Sequence, residues 1–427
     1  MRAHGLLHKR VVLPWAGGDL QFWLSQSLFS GDDIDTGTRA LLDTIAERLG
    51  DLPVRRALDL GSGSGVIGVA LSRLWPRAHV ILSDRDALAV SVSALNAREN
   101  DGSRAAAIGC LGVPAARGPF DLIAANLPAK VGEPVLRLLV RQAAAAAPEG
   151  HLALVVIRPR QDVVERALQG RARILHRREL RAHTVLVAET AMAAPGDPPP
   201  GRDGLAAYLR GDTEFRYGGQ AVRLQTAWGL PDFDAVPYSL RAAEPLVCAS
   251  ALGPRVLIWN PGQGLTACSL AATGGARPAI TVGSRDLLQI ETARRNLRHH
   301  GVAAAGLHAP SIADATGPGP RGSARYSAVV ATHGETDGPW WRWIPEAVDA
   351  LLAPEGRLLL IGSSTPVDRA LRSLREQRSP GERHASRGWH SSSGCAATGM
   401  VKRQDRRRRG YRAVLLQRRV WQQRSRD

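Results

Sequence analysis

The 427-residue sequence has few cysteines, few aromatic side chains and no long apolar run. Its cysteines are scattered, so they form neither a metal-ligand spacing nor a dense disulfide framework; they are Cys110, Cys248, Cys268 and Cys395. No segment reaches the roughly 18 consecutive apolar residues of a membrane span. The N-terminal segment also lacks the apolar region and small-residue cleavage site of a signal peptide. We therefore expect a cytoplasmic protein that has no metal site and no membrane segment.

Composition and charge indicate a globular chain with a basic surface. Hydrophobic residues make up 44% of the sequence, which excludes wholesale disorder, and the length predicts two or three domains. The formal net charge is +17, and residues 401–427 hold eleven Lys/Arg against Asp405 and Asp427. A basic chain attracts polyanions such as nucleic acid. The alternative is a solvated basic surface with no partner.

The two halves of the chain repeat the same segments in the same order, so the sequence predicts a tandem duplication. Each copy contains a Gly-Gly turn, an Asp-containing segment, a glycine-rich turn, an Asp-to-Asn helical segment and two apolar runs. The matches are 15–24 with 216–225, Asp35 with Asp234, 58–65 with 257–264, Asp86 with Asp286, Asn96 with Asn296, 120–126 with 326–332, and 147–156 with 353–362.

Each copy alternates short apolar strands with helical segments, a pattern typical of an α/β domain with a mostly parallel, doubly wound sheet. We predict domains at 1–192 and 205–427, joined by the Pro/Gly-rich linker 193–204. The low-complexity stretch 379–399 is predicted to be a long insertion or a disordered loop.

In the first copy, LDLGSGSG places an acidic residue near the end of a strand, followed by a glycine turn and a helix. Such a turn lets the backbone approach a ligand closely at the carboxyl edge of the sheet. The dinucleotide pattern G-x-G-x-x-G does not fit, because position 66 is Val66.

The turn instead resembles motif I, D-x-G-x-G-x-G, of the class I S-adenosylmethionine-dependent methyltransferases. The resemblance implies a Rossmann-like methyltransferase fold with S-adenosylmethionine as cofactor. It also implies that the turn cradles the methionine moiety and that an acid ending the next strand accepts hydrogen bonds from the ribose. The cofactor-binding residues implied are Asp59, Gly61, Gly63, Gly65 and Asp84.

FDLIAANLPAK resembles motif IV of the members of this family that methylate amino or amide nitrogens. By that resemblance the Asn126 side chain and the Leu127 carbonyl would accept hydrogen bonds from the nucleophilic nitrogen, and Pro128 would stiffen the turn. Leu127 replaces the family's first proline, and Ala129 replaces the aromatic residue that would stack on a base. The alternative is a turn at a strand end with no catalytic role. Many relatives in this family also carry an acidic residue near the adenine amino group of the cofactor. Residues 105–113 contain no acid, so Cys110 or a backbone group would have to contact the adenine instead.

The segment FSGDDIDTGTRALL resembles one that runs under the cofactor in the tandem-domain ribosomal-RNA guanine-N2 methyltransferases. Asp35, Gly37 and Thr38 match it, which implies cofactor contacts for Asp35 and Thr38. Thr38 could equally be a plain helix cap. That family has its degenerate half first and its active half second, whereas this sequence has the degenerate half second.

The second copy has lost the polar residues of the first, so we predict that it binds no cofactor. The substitutions are Asp59 to Trp259, Asp84 to Ser284, Asp121 to Ser327 and Asn126 to Thr332. Its expected roles are packing and substrate recognition. Trp340, Trp341 and Trp343, beside Arg342, could stack nucleobases or could pack a helix start. The basic run 404–412 could contact phosphates or lie in a solvated loop.

The leading functional hypothesis is an enzyme that transfers a methyl group from S-adenosylmethionine to an exocyclic amine of ribosomal or other structured RNA. One alternative is a protein methyltransferase, because ANLPAKVGEPVLRLL also resembles the strand end of ribosomal-protein lysine methyltransferases. The other is a catalytically weak RNA-binding scaffold, given Ala129 and the missing acid.

Overall fold

The computed structural model describes residues 6–128, 131–191, 204–248, 252–272, 277–315, 325–334, 337–376 and 399–419. The chain divides into two compact units, residues 1–210 and 211–427. Of the predicted linker 193–204 and the predicted insertion 379–399, only Gly204 and Gly399 are among the described residues. The predicted domain limits therefore stay predictions.

The first unit begins with a β-hairpin and continues as alternating strands and helices. Its elements are β1 (Lys9–Trp15), β2 (Gly18–Leu24), α1 (Thr36–Leu49), β3 (Arg56–Leu60), α2 (Val66–Leu74), β4 (His79–Asp84), α3 (Ala87–Glu99), β5 (Ala105–Gly109), β6 (Leu122–Asn126), α4 (Glu133–Ala146), β7 (His151–Ile157), α5 (Gln161–Leu168), β8 (Ala172–Glu179) and β9 (His183–Thr190).

The second unit repeats this order. Its elements are β10 (Leu209–Tyr217), β11 (Gln220–Ala227), α6 (Tyr238–Cys248), β12 (Arg255–Trp259), α7 (Leu265–Ala272), β13 (Ala279–Ser284), α8 (Leu287–His299), β14 (Ala305–His308), β15 (Tyr326–Thr332), α9 (Ile344–Leu351), β16 (Leu352–Ser363), α10 (Ser364–Glu376), β17 (Met400–Arg408) and β18 (Tyr411–Arg418).

Both units contain a seven-stranded sheet of the same topology. The strand orders are β5-β4-β3-β6-β7-β9-β8 and β14-β13-β12-β15-β16-β18-β17. The first five strands of each order run parallel. The sixth strand, β9 or β18, is antiparallel to both of its neighbours, so the seventh, β8 or β17, runs in the direction of the first five. This confirms the predicted fold class: two tandem α/β domains, each with a mostly parallel Rossmann-like sheet covered by helices.

Central strands are apolar because both faces of the sheet are covered. In β3 the four residues after Arg56 are buried, and β12 repeats that pattern after Arg255. A parallel strand with helices on both sides has no solvent-facing residues, so its sequence is continuously apolar rather than alternating. Separate buried apolar clusters lie on the two faces of each sheet.

The edge strands were harder to recognise from sequence. Strand β8 alternates half-buried and exposed residues, and three of its eight positions are arginine. Strand β17, predicted only as a basic run, forms a hairpin with β18. Charged side chains suit an edge strand because they oppose pairing with another chain.

One asparagine has the same bonds in both units. Asn96 accepts a hydrogen bond from Trp23 N (2.8 Å) and donates to Trp23 O (3.0 Å) and Ser64 O (2.8 Å). Asn296 makes the same three bonds, at the same lengths, to Gln225 and Gln263. Each asparagine thus joins the N-terminal hairpin of its unit to the glycine-rich turn.

Within the described residues, no helix is long and apolar enough to span a membrane. Nor does that part of the chain contain a group of three or more His, Cys, Asp or Glu residues arranged to hold a metal ion.

Candidate active site

The glycine-rich turn after β3 has an open outer side. Gly61, Gly63 and Gly65 have φ values of +79°, +53° and +81°, which non-glycine residues rarely adopt. A Cβ built on Gly61 or Gly63 meets no atom within 4 Å, whereas one on Gly65 would lie 2.7 Å from Ser93 Cβ. Gly61 and Gly63 therefore border space that a ligand can enter, and Gly65 permits close packing of α3.

Asp59 lies beneath this turn and is fully buried. Its Oδ2 accepts a hydrogen bond from Gly68 N at the start of α2 (2.8 Å), and its Oδ1 has no protein partner. Burial raises the pKa of Asp59 to about 7; the Gly68 bond lowers it and nearby Asp84 raises it further. Asp59 holds the turn and keeps one buried acceptor atom available.

Asp84 ends β4 and faces the turn across the sheet edge. Its Oδ2 accepts from Gly63 N and its Oδ1 from Asp86 N, both at 2.9 Å. Burial, followed by the neighbouring Asp86 carboxylate, raises the pKa of Asp84 to about 6. On the adjacent strand end, Cys110 N donates to Asp84 O (3.0 Å), and burial raises the pKa of the Cys110 thiol.

Asn126 ends β6, the strand on the other side of β3, and is half-buried. Leu127 is buried, and its N–H donates to Val155 O (2.9 Å), which extends the pairing with β7. Pro128 is exposed. Because carboxyl ends of parallel strands meet at one edge, the structure brings Asn126 to the edge that holds Asp84 and the glycine turn.

Asp35 and Thr38, predicted as cofactor-binding residues, contact Asn126. Asn126 Nδ2 lies 3.1 Å from Asp35 Oδ2 and 3.0 Å from Thr38 Oγ1. Asp35 is also the N-cap of α1, and its Oδ2 accepts from Thr38 N (3.1 Å). Thr38 itself is buried and is the third residue of the helix. The helix cap is thus Asp35, and Thr38 provides its N–H.

His183 is a site residue that the sequence reasoning missed. It is the first residue of β9 and is paired with Ile157 at the carboxyl edge of β7. A Cβ built on Gly37 would lie 3.1 Å from His183 Cδ2 and 2.8 Å from Asp35 Oδ2. The imidazole therefore borders the Asp35 contact. Only recognition of β9 as an antiparallel strand that starts at this edge could have placed it here.

The structure corrects the predicted counterpart of Asp59 in the second unit. Gly61 N and Asn260 N donate to the equivalent Ser83 O and Gly283 O. Asp59 therefore corresponds to Ile258 and not to Trp259, which stands opposite Leu60. The segment match of 58–65 with 257–264 has this register, and only the predicted substitution of Asp59 by Trp259 was wrong, by one residue.

Asn260 connects the strand ends of the second unit. It takes the place of Gly61, with φ +55°. Its Nδ2 donates to Thr332 O (2.8 Å) and Asp337 Oδ2 (2.7 Å), and its Oδ1 accepts from Ser284 Oγ (2.9 Å). One side chain thus links β12, β13 and the end of β15.

Gly262, the counterpart of Gly63, also has an internal partner in the second unit. Its N–H donates to Gln289 Oε1 of α8 (3.1 Å), whereas Gly63 N donates to Asp84. Backbone and side-chain groups at this edge therefore bond to each other. This arrangement is compatible with the prediction that the second unit binds no cofactor, which remains a prediction.

Asp121 belongs to the opposite edge of the sheet and not to the site. Its Oδ2 accepts from Arg55 N (2.7 Å) and Arg56 N (2.8 Å) at the start of β3. In the second unit Ser327 Oγ accepts from Arg255 N (2.9 Å). The change from Asp to Ser thus keeps a structural role and is not a loss of site chemistry.

The tryptophans of 339–347 pack within the second unit. Trp340 is buried, and Trp341 and Trp343 are half-buried against an apolar cluster. The Arg369 guanidinium lies 4.8 Å from the centre of a Trp341 ring. The packing alternative accounts for Trp340, while Trp341 and Trp343 keep part of their surface exposed.

The basic run 404–412 forms the end of β17, a turn and the start of β18. Arg412 is buried and pairs with Asp368 and with Asp405 (2.5 Å to Oδ2). Arg406 and Arg408 are exposed. One arginine of the run is therefore structural, and exposed ones follow the sheet edge.

The glycine turn, Asp84 and Asn126 lie at the carboxyl edge of one mostly parallel α/β sheet, within a segment that matches a known family. Residues 19–178 match the model of the family named Methyltransferase small domain. The family match ends within the first unit.

Curated relatives match about a third of this chain. The protein named Ribosomal RNA small subunit methyltransferase C from Pseudomonas entomophila (strain L48) is 39% identical over 126 residues, 30% of this chain and 36% of that protein. Its namesake from Pseudomonas paraeruginosa (strain DSM 24068 / PA7) is 38% identical over 156 residues, 35% of this chain and 45% of that protein. The chain thus spans under half the length of these relatives in the matches.

Among solved structures, a 16S rRNA N2 methyltransferase of T. Thermophilus (RsmC), in complex with AdoMet and guanosine, matches with a TM-score of 0.66. The match covers 97% of this chain and 99% of that one at 18% identity. The likeness confirms that the fold extends over both units.

Proposed function

We propose that this protein is an S-adenosylmethionine-dependent N-methyltransferase whose first unit methylates an exocyclic amine of small-subunit ribosomal RNA. The observation that carries the proposal is the position of Asn126 at the sheet edge that also holds the open glycine turn and Asp84. The names of the relatives support ribosomal RNA as the substrate. The net charge of +17 favours a polyanionic partner, and the cytoplasm is the compartment in which we expect it.

The residues at this edge fit S-adenosylmethionine. Side chains are absent from the outer side of Gly61 and Gly63, so the methionine moiety could lie against the backbone. Asp84 would accept hydrogen bonds from the ribose hydroxyls, since each carboxylate oxygen can accept more than one bond. The unpartnered Oδ1 of Asp59 is a buried acceptor directly beneath the turn.

When bound, the cofactor supplies an electrophilic methyl group. The work of the protein is then to present a nitrogen whose lone pair is delocalised and weakly nucleophilic. Asn126 would accept a hydrogen bond from that nitrogen, with the Leu127 carbonyl as a second acceptor, and thereby orient the lone pair. Positioning of this kind supplies much of a transfer rate without a strong base. The proton released from nitrogen passes to water.

The second unit is proposed to contribute RNA binding. The exposed arginines of the β17–β18 hairpin, including Arg406 and Arg408, are suited to phosphate contacts. If they bind RNA, the logarithm of the affinity should fall linearly as the logarithm of the salt concentration rises, with a smaller slope after substitution by alanine. An affinity insensitive to salt would contradict this part of the proposal.

The test is transfer of label from methyl-tritiated S-adenosylmethionine. The full-length protein is incubated with small ribosomal subunits, and with their extracted RNA, from a strain that lacks the gene. We expect label that nuclease removes and that appears in an N-methylated nucleoside after digestion. Label removed by protease would instead identify a protein substrate, and no label would leave only the scaffold alternative. The Asn126→Ala variant serves as the inactive control.

A further inference from the structure

The amide group of Asn126 has an orientation that its neighbours determine. An asparagine side chain has two N–H donors and one acceptor oxygen, and only the hydrogen-bond network distinguishes its two flips. In Asn126, one atom of the amide lies 3.1 Å from Asp35 Oδ2 and 3.0 Å from Thr38 Oγ1. Because a carboxylate oxygen only accepts, that atom must be the donor Nδ2. In the other flip, Oδ1 would face the Asp35 carboxylate oxygen, and two acceptors would repel each other.

Asp35 cannot relieve that conflict by rotating. The same Oδ2 accepts from Thr38 N (3.1 Å) and caps α1, so turning it away would break the cap. Gly37 and His183 also lie close to it, because a Cβ on Gly37 would lie 2.8 Å from Oδ2 and 3.1 Å from His183 Cδ2. The carboxylate is therefore held by the helix and by packing.

The second unit has lost this arrangement where it has lost the candidate catalytic residue. Asn126 is matched by Thr332, which has no amide. Arg39 N donates to Asp35 O at the start of α1, and Arg241 N donates to Pro237 O at the start of α6. Asp35 is therefore matched by Pro237, which has no carboxylate, and Thr38 by Leu240, which has no hydroxyl. Both residues of this contact, Asn126 and Thr38, are thus replaced in the second unit.

We propose that Asp35 and Thr38 are positioning residues that act on the reaction through Asn126, rather than cofactor ligands. Together they use both donors of the amide, which leaves Oδ1 as the group available to the substrate. An acceptor at this point selects a nucleophile that has a hydrogen to donate, as an exocyclic amine does. The inference rests on the proposed function, and it assigns to α1 a part in orienting the substrate nitrogen.

The experiment compares Thr38→Val and Thr38→Ser in the full-length protein. Valine keeps the shape of threonine and removes Oγ1, whereas serine keeps the hydroxyl. We expect Thr38→Val to lower kcat on the RNA substrate roughly tenfold, the size of one ordinary hydrogen bond. Thr38→Ser should retain most of the activity. The Kd for S-adenosylmethionine, measured by calorimetry, should stay within about twofold of the wild-type value in both.

A charge exchange tests the Asp35 contact. Asn126→Asp places two carboxylates together and should abolish transfer; Asp35→Asn added to it removes one of the two charges and should recover activity at least roughly tenfold. Asparagine is a good helix cap, and its Oδ1 can replace Oδ2 as the acceptor of Thr38 N, so α1 is preserved.

The possible failures are distinguishable. A Thr38→Val variant with wild-type kcat, or with a cofactor Kd raised tenfold and kcat unchanged, would overturn the positioning role alone. Equal losses in Thr38→Val and Thr38→Ser would assign the effect to packing and overturn it too. Absence of label with the wild-type protein would overturn the proposed function together with this inference.

Discussion

The carboxyl edges of the two sheets share a backbone and differ in what their polar groups bond to. In the first unit Gly61 and Gly63 leave the turn open and Asp59 keeps an unpartnered oxygen. In the second, Asn260 and Gln289 supply side chains that bond to neighbouring groups of the same edge. A binding site requires polar groups that the folded chain does not satisfy, and such groups reduce stability.

The difference between the two turns is possible because Gly61 and Asn260 share a positive φ. The turn needs a residue with positive φ at the position of Gly61, and asparagine tolerates this conformation better than most residues. Asn260 therefore keeps the turn at φ +55° while it adds an amide at the point where the other unit has open space. A substitution compatible with the backbone thus fills this space with a side chain while the turn is kept.

The largest expected effect comes from replacing the residues at the ends of the two equivalent strands. Asn126→Ala should lower kcat by on the order of 10²–10³, because it removes a positioned hydrogen-bond acceptor. Thr332→Ala at the matching position should leave kcat unchanged. Steady-state methyl transfer with both variants measures this, and equal losses would show that the two edges do not divide the roles as proposed.

A second comparison uses two glycines with nearly equal geometry. Gly63 and Gly262 have φ values of +53° and +58°, and a Cβ on either meets no atom within 4 Å. Alanine should strain both turns by about 1–2 kcal/mol. Only Gly63→Ala should weaken S-adenosylmethionine binding, by on the order of a hundredfold, as measured by calorimetry. Weaker binding in Gly262→Ala would place cofactor chemistry in the second unit.

The buried acid of the first unit should make its stability depend on pH. Because the folded-state pKa of Asp59 is raised to about 7, its contribution is fully present below the unfolded pKa and is lost as pH rises toward neutrality. Asp59→Asn, which cannot ionise, should gain about 2 kcal/mol relative to wild type between about pH 5 and about pH 6.5. Hydrogen exchange of the β3 amides measures the difference, and parallel pH curves would contradict it.

The smallest expected effect tests the internal bonds of the second unit. Asn260→Gly keeps the positive φ accessible but removes three hydrogen bonds to buried or half-buried groups. It should destabilise that unit by about 1–3 kcal/mol while cofactor stoichiometry stays at one per chain. Hydrogen exchange in β12 and calorimetric titration report the two quantities. A second equivalent of bound cofactor would show that Asn260 alone closes the site.

Much of the fold could be predicted because each central strand is a mainly apolar run and the duplication supplied two examples of it. The edge strands β8 and β17 were not recognised, since half-exposed, arginine-rich segments resemble solvated loops. At the site, the glycine turn and Asp84 stand where the spacing predicted them. The Asp35–Asn126 contact joins residues 91 positions apart, and only the strand order brings them together.

The asparagine shared by both units offers a further use of the duplication. Asn96 and Asn296 have kept the same three bonds although the polar residues at the neighbouring sheet edges differ. The two halves of one chain therefore act as an internal alignment: residues retained in both identify what the architecture requires, and residues retained in one identify what a particular reaction requires. In a duplicated protein, divergence between copies can separate these two kinds of constraint without any second sequence.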